Sequence, residues 1–463
     1  MFSKETYIER RNALKGKING GLLLFMGNEY VGMNCADNTY RFRQDSSFLY
    51  FFGLDQSGLV ALIDLDEDRE IIFGDEMSVE YIVWMGSQKT IKDKSADVGI
   101  LDTRPKEQLK DYIQEAMQNN RIIRILPPYR DANKIYLADL LNSSIKGLAE
   151  YVSEPFINSI IACRLIKEDQ EIEQMEAALV TTKNMHMAAM QSAKPGMKEY
   201  ELTAKVRAKA LAGGGDLAYP IILTVDGQTL HNHYHGNTME EGQLVLGDYG
   251  AATAMHYAGD ITRTFPVSKT FTKRQREIYA IVLKAEKDVI AALKPGVKFL
   301  DMHLLAARII MEGLQKLGLV RGDINAAMEA GAYGLFFPHG VGHMIGLDVH
   351  DMEDLGEDRV GYGENIKRSK LFGLRSLRLA KVLEVGHVVT VEPGIYFIPE
   401  LIAQWQKEGR HEEFINYEKV AEYIDFSGIR IEDNCLITAD GAQVLGPYIP
   451  KEIEEVEEIR TKA

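Results

Sequence analysis

The chain has 463 residues, of which 46% are hydrophobic and 26% are charged. This composition is typical of globular proteins and excludes a disordered, collagen-like or coiled-coil chain. Because a single hydrophobic core seldom exceeds about 250–300 residues, the length predicts two or three compact units. The chain carries 53 Lys and Arg against 68 Asp and Glu, and this net charge of -15 argues against nucleic acid or an anionic membrane surface as the main partner.

Hydropathy and cysteine spacing indicate the compartment. The sequence has no apolar run of about 18 residues, the length of a membrane helix, and its first residues lack the apolar segment of a secretory signal. Its cysteines, Cys35, Cys163 and Cys435, lie far apart and form no CxxC pair, which excludes a disulfide framework and a thiolate zinc site. We therefore expect a cytoplasmic protein with no membrane partner.

The first third of the chain alternates strand-like and helix-like segments. Buried strands are predicted for the apolar runs GLLLFMG, SGLVALIDL, REIIFGD and RIIRILP. Helices are predicted for EQLKDYIQEAMQNN and KIYLADLLNSSIKGL. The pattern pauses at Glu154–Ser159, and a long amphipathic helix begins at Lys167. This alternation predicts an α/β N-terminal domain over residues 1–160.

Residues 161–463 show the pattern of an α+β domain. Two further helices are predicted at Lys198–Ala212 and Lys273–Leu293. Strands that carry most of the notable polar residues are predicted for QLVLGDYG, HYAGDITRTF, MIGLDVHD, HVVTVEPGIYF and GIRIEDNCLIT. The C-terminal KEIEEVEEIR predicts a solvated helix, to which we give no function.

Acidic side chains stand inside these apolar strands, where an unpaired charge would be costly. They are Asp248, Asp260, Glu392 and Glu432, and His343 stands in a fifth strand-like segment. Asp248 and Asp260 are twelve positions apart, with glycines near the turn. This spacing predicts neighbouring strands of a hairpin, with both carboxylates on one face.

A pair of divalent cations would neutralise these four carboxylates. One imidazole among oxygen ligands favours a fairly hard ion such as Mn²⁺, with Co²⁺, Fe²⁺ or Zn²⁺ as alternatives. Two such ions can share a water, lower its pKa and polarise a carbonyl, which suits hydrolysis. The alternative is that each acid pairs with a neighbouring base, such as Arg263, Arg430 or Lys381. Five polar residues in five strand-like segments favour the metal site.

Several motifs of the chain resemble those of one family. They are ADNTYRFRQDSSFLYFFGL in the first domain and DITRTFPVS, PHGVGHMIGLDVHD, GLRSLR, VTVEPGIYF and GIRIED in the second. The chain resembles the aminopeptidase P and prolidase branch of the pita-bread metallopeptidases over nearly its whole length. This resemblance implies a pita-bread (creatinase/aminopeptidase-like) catalytic domain with two metal ions. It also implies hydrolysis of the bond between an N-terminal residue and a following proline.

The resemblance further implies a role for each matched residue. Asp248 would bind one metal ion and His343 with Glu392 the other, while Asp260 and Glu432 would bridge the two. Glu392 would also take a proton from the attacking water and deliver it to the leaving nitrogen. The family usually separates the two aspartates by eleven positions, so a longer turn is expected here.

Other matched residues would contact the substrate or support the ligands. The resemblance implies His231, His339 and His350 as histidines that line the substrate site, Arg430 as an arginine near Glu432, and Asp37 as a contact for the substrate amine. His231, His233 and His235 would share one face of a strand, although a polar loop or an adventitious metal site fits the same spacing. We assign only His231 to the site and expect the other two to be structural. An ordinary surface residue is the alternative for Asp37.

Basic residues bear on the choice between two activities. A dipeptide ends in a carboxylate just beyond its proline, and a cation is needed to recognise it. The stretch IKRSKLFGLRSLRLAK has six basic residues and no acid, and the resemblance implies that Arg378 binds this carboxylate; a solvated loop or an oligomer contact is the alternative. We therefore favour an Xaa-Pro dipeptidase over an Xaa-Pro aminopeptidase acting on longer peptides. A non-enzymatic binding protein on a dead peptidase scaffold is a remote alternative, and the resemblance suggests a homodimer or homotetramer.

Overall fold

Two compact units make up the protein, whose computed structural model describes residues 1–363 and 366–462. One unit consists of Met1–Leu165 with Asp354–Gly356, and the other of Ile166–Glu353 with Glu357–Ala463. Within the described residues, no helix is both long enough and apolar enough to cross a bilayer.

The first unit is built on a mixed β-sheet. Its strands are β1 (Leu22–Met26), β2 (Gly32–Cys35), β3 (Asn38–Thr39), β4 (Val60–Asp64), β5 (Arg69–Phe73), β6 (Asp102–Arg104) and β7 (Ile123–Ile125). Its helices are α1 (Lys4–Lys15), α2 (Ser46–Phe52), α3 (Val79–Met85), α4 (Ile91–Asp97), α5 (Gln108–Gln118), α6 (Asp131–Leu140) and α7 (Glu154–Arg164). The sheet has the order β6-β5-β4-β1-β7, in which β1 with β7 and β5 with β6 run parallel.

The apolar runs of the first unit became strands because their side chains are buried in one core. Every residue of β4 is buried, and Leu109 and Ile113 of α5 pack into the same cluster as Leu62.

The predicted pause at Glu154–Ser159 is wrong, because α7 begins at Glu154. Ser153 caps this helix by accepting a hydrogen bond from the Phe156 amide, and its proline lies in the first turn, where a missing N–H costs nothing.

The second unit combines long helices with short antiparallel strands. Its helices are α8 (Asp169–Ser192), α9 (Glu199–Ala212), α10 (Lys273–Ala292), α11 (Phe299–Lys316), α12 (Ile324–Ala330), α13 (Glu357–Gly361), α14 (Pro399–Lys407), α15 (Tyr417–Ala421) and α16 (Ile453–Lys462). Its strands are β8 (Asp216–Leu217), β9 (Ile222–Thr224), β10 (Leu244–Asp248), β11 (Ala251–Ala252), β12 (Thr262–Pro266), β13 (Val388–Val391), β14 (Gly394–Tyr396), β15 (Gly428–Arg430), β16 (Asp433–Ile437) and β17 (Ala442–Val444). The strand orders are β12-β10-β9, β13-β16-β17, β14-β15 and β11-β8.

One predicted strand of the second unit is not formed. The segment MIGLDVHD has no regular structure beyond a single bridge between Met344 and Val389. Just before this segment, the backbone at Gly342 lies very close to β13. A Cβ on this glycine would be 2.0 Å from the Thr390 carbonyl oxygen, so only glycine fits there. The loop therefore holds His343 against β13 without pairing as a strand.

Candidate metal centre and active site

The first two predicted ligands are placed by a hairpin. Strands β10 and β12 pair antiparallel with Asp248 opposite Thr262, so Asp260, two residues earlier, extends the same face. The Tyr219 hydroxyl joins the two acids, since it lies 2.6 Å from Asp248 Oδ1 and also donates to Asp260 Oδ1. The predicted hairpin with both carboxylates on one side is confirmed.

The turn between the two aspartates keeps the hairpin in register. The strands pair without a bulge, and Ala252 and Ala258 form a further bridge beyond them. Between them the Thr253 amide donates to the Tyr257 carbonyl at 3.0 Å, and His256 has a φ of 70°. The twelve-position spacing therefore leaves the register of the carboxylates intact.

Glu432 enters the cluster from the junction of β15 and β16. Its amide donates to the Thr262 carbonyl at 3.1 Å, and its Oε2 accepts from the Thr262 hydroxyl at 2.7 Å. These two bonds hold the carboxylate beside the face that carries Asp260. The side chain is fully enclosed, with the residue only 1% exposed.

His343 and Glu392 complete the group. The His343 ring donates from Nδ1 to the Met344 carbonyl at 3.0 Å, which leaves Nε2 available as a ligand atom. That Nε2 lies 3.4 Å from Asp260 Oδ2 and 3.6 Å from Glu392 Oε1. The His343 amide also donates to the Thr390 hydroxyl, so β13 positions both residues.

The predicted ligands converge on one cavity. Ligand atoms of Asp260, His343 and Glu432 all lie within 4.8 Å of one another. All five predicted ligands line a cavity of about 400 Å³, together with His231, His339, His350, Arg378 and Arg430. The structure thus brings together every predicted site residue of the second unit.

The electrostatics of the cavity indicate that cations are needed there. Burial and the charges of Asp260 and Glu392 raise the pKa of Glu432 well above its usual value. Burial also raises the pKa of Glu392 to about 7. Burial alone would lower the pKa of His343, but Asp260 and Glu392 raise it to about 9. Because protonation is the only way this cluster can relieve its negative charge by itself, the carboxylates and the imidazole fit divalent metal ions.

A network of aromatic and basic groups supports one side of the cavity. Arg430 pairs with Asp248 Oδ2 at 2.5 Å and donates to the Tyr396 hydroxyl at 2.7 Å. The Tyr396 hydroxyl lies 2.8 Å from Nε2 of His339, whose Nδ1 donates to the Gly340 carbonyl at 2.7 Å. Burial lowers the pKa of His339 to about 3, so the ring is neutral. Arg430 is thus oriented by Asp248, and both nitrogens of His339 already have partners.

The alternating histidines lie on a loop, not on the strand considered for HNHYHG. His231 and His233 line the cavity, whereas Nε2 of His235 lies 3.2 Å from the Ile221 carbonyl oxygen. A structural role therefore fits His235, and His233 lies closer to the site than the sequence indicated.

The basic stretch around Arg378 is compensated by acids that precede it. Arg378 lines the cavity and its Nη1 pairs with Glu353 Oε2 and lies 3.5 Å from Glu357 Oε2. Arg368 pairs in turn with Glu357 and with Asp358, the latter at 2.7 Å. The positive charge is therefore locally neutralised, and Arg378 is the member of these pairs that reaches the cavity.

Asp37 belongs to the first unit. It lies in the exposed turn between β2 and β3, which form a two-stranded sheet of their own. Its contact with the substrate amine stays a prediction.

Three functional neighbours were missed by the sequence analysis: Tyr219, Tyr396 and Glu353. A buried tyrosine hydroxyl normally has a hydrogen-bond partner, so Tyr396 within the VTVEPGIYF motif could have been suspected. Tyr219 stands in an ordinary apolar stretch, and no local pattern relates it to residues some thirty positions later. Glu353 stands three residues after His350, a spacing that a single helical turn brings together.

Comparison with known proteins places the chain in a family. Residues 173–439 match metallopeptidase family M24, and residues 7–125 match the aminopeptidase P N-terminal domain. The chain is 33% identical over 451 residues to the Xaa-Pro dipeptidase of Rattus norvegicus, an alignment that covers 95% of this chain and 88% of that protein. It is also 33% identical over 449 residues to a probable Xaa-Pro aminopeptidase, PEPP, of Fusarium vanettenii, with 94% and 91% covered.

A solved structure supports the same relationship. Zinc-substituted E. coli aminopeptidase P in complex with product superposes with a TM-score of 0.80 at 28% identity, covering 99% of this chain and 98% of that one. The predicted fold class, an α/β N-terminal domain followed by a pita-bread catalytic domain, is confirmed, and so is the prediction of a metallo-exopeptidase. The chain belongs to metallopeptidase family M24, in the branch that contains the Xaa-Pro dipeptidases and aminopeptidase P.

Proposed function

We propose that the protein is a metal-dependent Xaa-Pro dipeptidase, which hydrolyses the bond between an N-terminal residue and a following C-terminal proline. The observation that carries the preference for dipeptides is the position of Arg378. Its guanidinium lines the same cavity as the predicted metal ligands and is 35% exposed. A planar guanidinium at the edge of such a cavity suits the carboxylate that ends a dipeptide.

Two divalent cations would be held by the acids and the imidazole of the cavity. Asp248 would bind one, His343 and Glu392 the other, and Asp260 with Glu432 would bridge them. Mn²⁺ is the proposed ion, because hard oxygen donors outnumber the single imidazole, with Co²⁺, Fe²⁺ or Zn²⁺ as alternatives. When bound, such ions supply an activated water and polarise the scissile carbonyl.

The residues of the chain handle the protons and the developing charge. Glu392 is placed to accept the proton of the attacking water and to pass it to the proline nitrogen, because it stands at the ligand cluster and 3.9 Å from His339 Nδ1. His231 and His350 line the cavity and are placed to donate to the carbonyl oxygen as it gains charge. His339 accepts a hydrogen bond from the Tyr396 hydroxyl and lines the cavity beside Glu392.

An Xaa-Pro bond needs this dedicated arrangement. It is a tertiary amide without an N–H, so the main-chain pairing used by most proteases is lost at that position. In this proposal, the carbonyl is activated and Glu392 protonates the proline nitrogen, so the reaction does not depend on that main-chain pairing. A cavity of about 400 Å³ has room for a residue and a proline ring together.

The test compares Ala-Pro with Ala-Pro-Ala as substrates of the unmodified protein and of Arg378→Ala. We expect the unmodified protein to prefer Ala-Pro, and the substitution to lower kcat/KM for Ala-Pro about 10- to 100-fold, because a charge-assisted contact is lost. The effect on Ala-Pro-Ala should be much smaller. Arg375→Ala is the matched control, since Arg375 is exposed and stacks 4.8 Å from the Phe372 ring centroid. Equal effects of Arg378→Ala on both substrates would contradict the dipeptidase proposal.

An Xaa-Pro aminopeptidase acting on longer peptides is the second candidate. The observation in its favour is that Arg378 already has a carboxylate partner, Glu353. A non-enzymatic binding protein is the remote candidate. Elemental analysis after reconstitution with Mn²⁺ tests it, and more than one bound ion per chain would argue against it. Fewer than one ion per chain would favour it.

The remaining proposals concern location and assembly. The net charge of -15 and the three free cysteines support a cytoplasmic protein without nucleic-acid or membrane partners. A homodimer or homotetramer is supported by helix α3, whose Val79, Val83 and Trp84 are 79%, 75% and 80% exposed. Light scattering after gel filtration tests this assembly, which Trp84→Glu is expected to weaken; a monomeric unmodified protein would contradict it.

A further inference from the structure

The proposed reader of the substrate carboxylate is already bound to a carboxylate of the chain itself. Nη1 of Arg378 donates directly to Oε2 of Glu353. The same Oε2 lies 3.2 Å from Nδ1 of His350, a residue of the cavity wall. Glu353 therefore sits between the arginine and a histidine of the active site.

Glu353 is held there as an anion. Its side chain is only 21% exposed, and burial by itself would favour the neutral acid. The hydrogen bond and charge of His350, together with the charge of Arg378, outweigh burial and lower the pKa of Glu353. The guanidinium is thus paired with a full negative charge before any substrate arrives.

The second acid near Arg378 is a weaker competitor. Glu357 Oε2 lies 3.5 Å from Arg378 Nη1, and the other oxygen of Glu357 pairs with Arg368. Arg368 is further engaged by Asp358 at 2.7 Å. Glu357 is therefore anchored to a different arginine, and Glu353 is the acid whose contact a substrate carboxylate would have to replace.

We propose that Glu353 sets the preference between dipeptides and longer peptides by competing with the substrate's terminal carboxylate for Arg378. This inference rests on the proposed function, in which Arg378 binds that carboxylate. A dipeptide must displace Glu353 or place a second anion beside it, and either event weakens its binding. A longer peptide presents a neutral amide at the same place and needs no such displacement. Glu353 is a positioning residue in this scheme, since it acts through Arg378.

The test measures kcat and KM for Ala-Pro and Ala-Pro-Ala with the metal-loaded variant Glu353→Gln. We expect the KM for Ala-Pro to fall about tenfold and the KM for Ala-Pro-Ala to change less than about twofold, because only the dipeptide gains a cation. Any change in kcat that is common to both substrates reports the contact with His350. Asp358→Asn is the matched control, an acid of the same segment that pairs with Arg368, and it should leave both KM values unchanged.

Two further variants separate this inference from the proposed function. In the Arg378→Ala background, Glu353→Gln should no longer alter the ratio of the two KM values. If Arg378→Ala discriminates between the substrates and Glu353→Gln does not, or if Glu353→Gln raises the KM for Ala-Pro, the inference is overturned and the proposed function stands. If Arg378→Ala does not discriminate, both fail. If Glu353→Gln does not fold, Glu353→Asp is the substitute variant. It keeps the negative charge on a shorter side chain, so we expect a smaller fall in the KM for Ala-Pro.

Discussion

Glu432 and Asp433 are consecutive residues that enter two different clusters of buried charge. Glu432 faces the metal-binding cavity, with Asp260 and Glu392 as charged neighbours. Asp433 faces an ionic cluster formed with Arg263, Glu286 and Lys451, where Arg263 Nη2 lies 2.7 Å and Lys451 Nζ 2.5 Å from its oxygens. The alternation of side chains at the start of β16 separates the two carboxylates.

The two clusters balance their charge differently. In the ionic cluster, burial would raise the pKa of Asp433, but Arg263 and Lys451 lower it to about 2. In the metal-binding cavity, burial and neighbouring acids raise the pKa of Glu432 well above its usual value. The ionic cluster contains two acids and two bases of the chain, and burial together with Asp433 raises the pKa of Glu286 to about 8. The cavity contains four acids against Arg430 and His343, because its other cation, Arg378, is paired with Glu353, and this deficit of positive charge is what marks it as the functional site.

The largest expected effect comes from removing a charge from the cavity. Asp260→Asn should lower kcat/KM for Ala-Pro about 1000-fold or more, since the amide cannot replace a proposed bridging carboxylate. The fold should persist, because the asparagine oxygen can still accept from Tyr219. Steady-state kinetics and metal content check the outcome, with Asp288→Asn on α10, an acid that is 42% exposed and pairs with Lys284, as the control. A near-normal rate would remove Asp260 from the metal site.

Breaking the ionic cluster should damage stability instead of catalysis. Lys451→Met leaves Glu286 and Asp433 without one of their cations, and such a loss costs about 3–5 kcal/mol in the free energy of unfolding. Denaturant titration measures this change, and the metal bound per folded chain should be unaltered. Loss of metal with unchanged stability would mean that the two clusters are not independent.

The effect of Glu432→Gln on stability should depend on whether the metal is bound. Chelation is expected to destabilise the unmodified protein, because the carboxylates then lack their counter-charge. Glu432→Gln should make the metal-free protein more stable by about 1–3 kcal/mol, since it removes a charge that the fold disfavours. Thermal unfolding with and without chelator measures both effects. A less stable metal-free Glu432→Gln would show that the cavity is not short of positive charge.

The sequence predicted the acids of the site because each stands in an apolar strand pattern, where a carboxylate is out of place. Asp248, Asp260 and Glu432 could be recognised in this way, and the hairpin spacing placed the two aspartates on one side. The segment that carries His343 was taken for a strand, because its apolar residues do not reveal that Gly342 brings the loop against Thr390. Close backbone approach depends on the partner segment, which local pattern does not contain.

The groups that complete the site depend on contacts between distant segments. The Tyr219 hydroxyl contacts the carboxylates of Asp248 and Asp260 across 29 and 41 positions, and Arg430 reaches Asp248 across 182. Such contacts follow from the packing of the sheets, not from periodicity. The partner of Arg378 was missed because Glu353 lies 25 positions before the arginine, outside the basic stretch, and no local pattern relates the two.

The smallest expected effect is a pH dependence confined to the metal-free protein. The pKa of Glu392 is raised to about 7 and that of His343 to about 9, so the folded state holds these protons more tightly than the unfolded chain does. The stability each contributes is present at low pH and is lost as the pH rises through the folded value. The pKa of Asp260 is lowered, so its titration changes the stability only below about pH 4 and not at higher pH. Metal-free protein should therefore lose stability steadily between pH 5 and 9.

The metal-loaded protein should not follow this decline, since its ligands have already given up their protons. The fall in melting temperature caused by chelator should accordingly be larger at pH 8 than at pH 6. His343→Gln, which removes the imidazole that titrates highest, should flatten the metal-free profile above pH 7. The ionic cluster supplies the internal reference, because Lys451→Met should lower stability in both metal states alike. A chelator effect that shrinks as the pH rises would contradict the account of the cavity as a site short of positive charge.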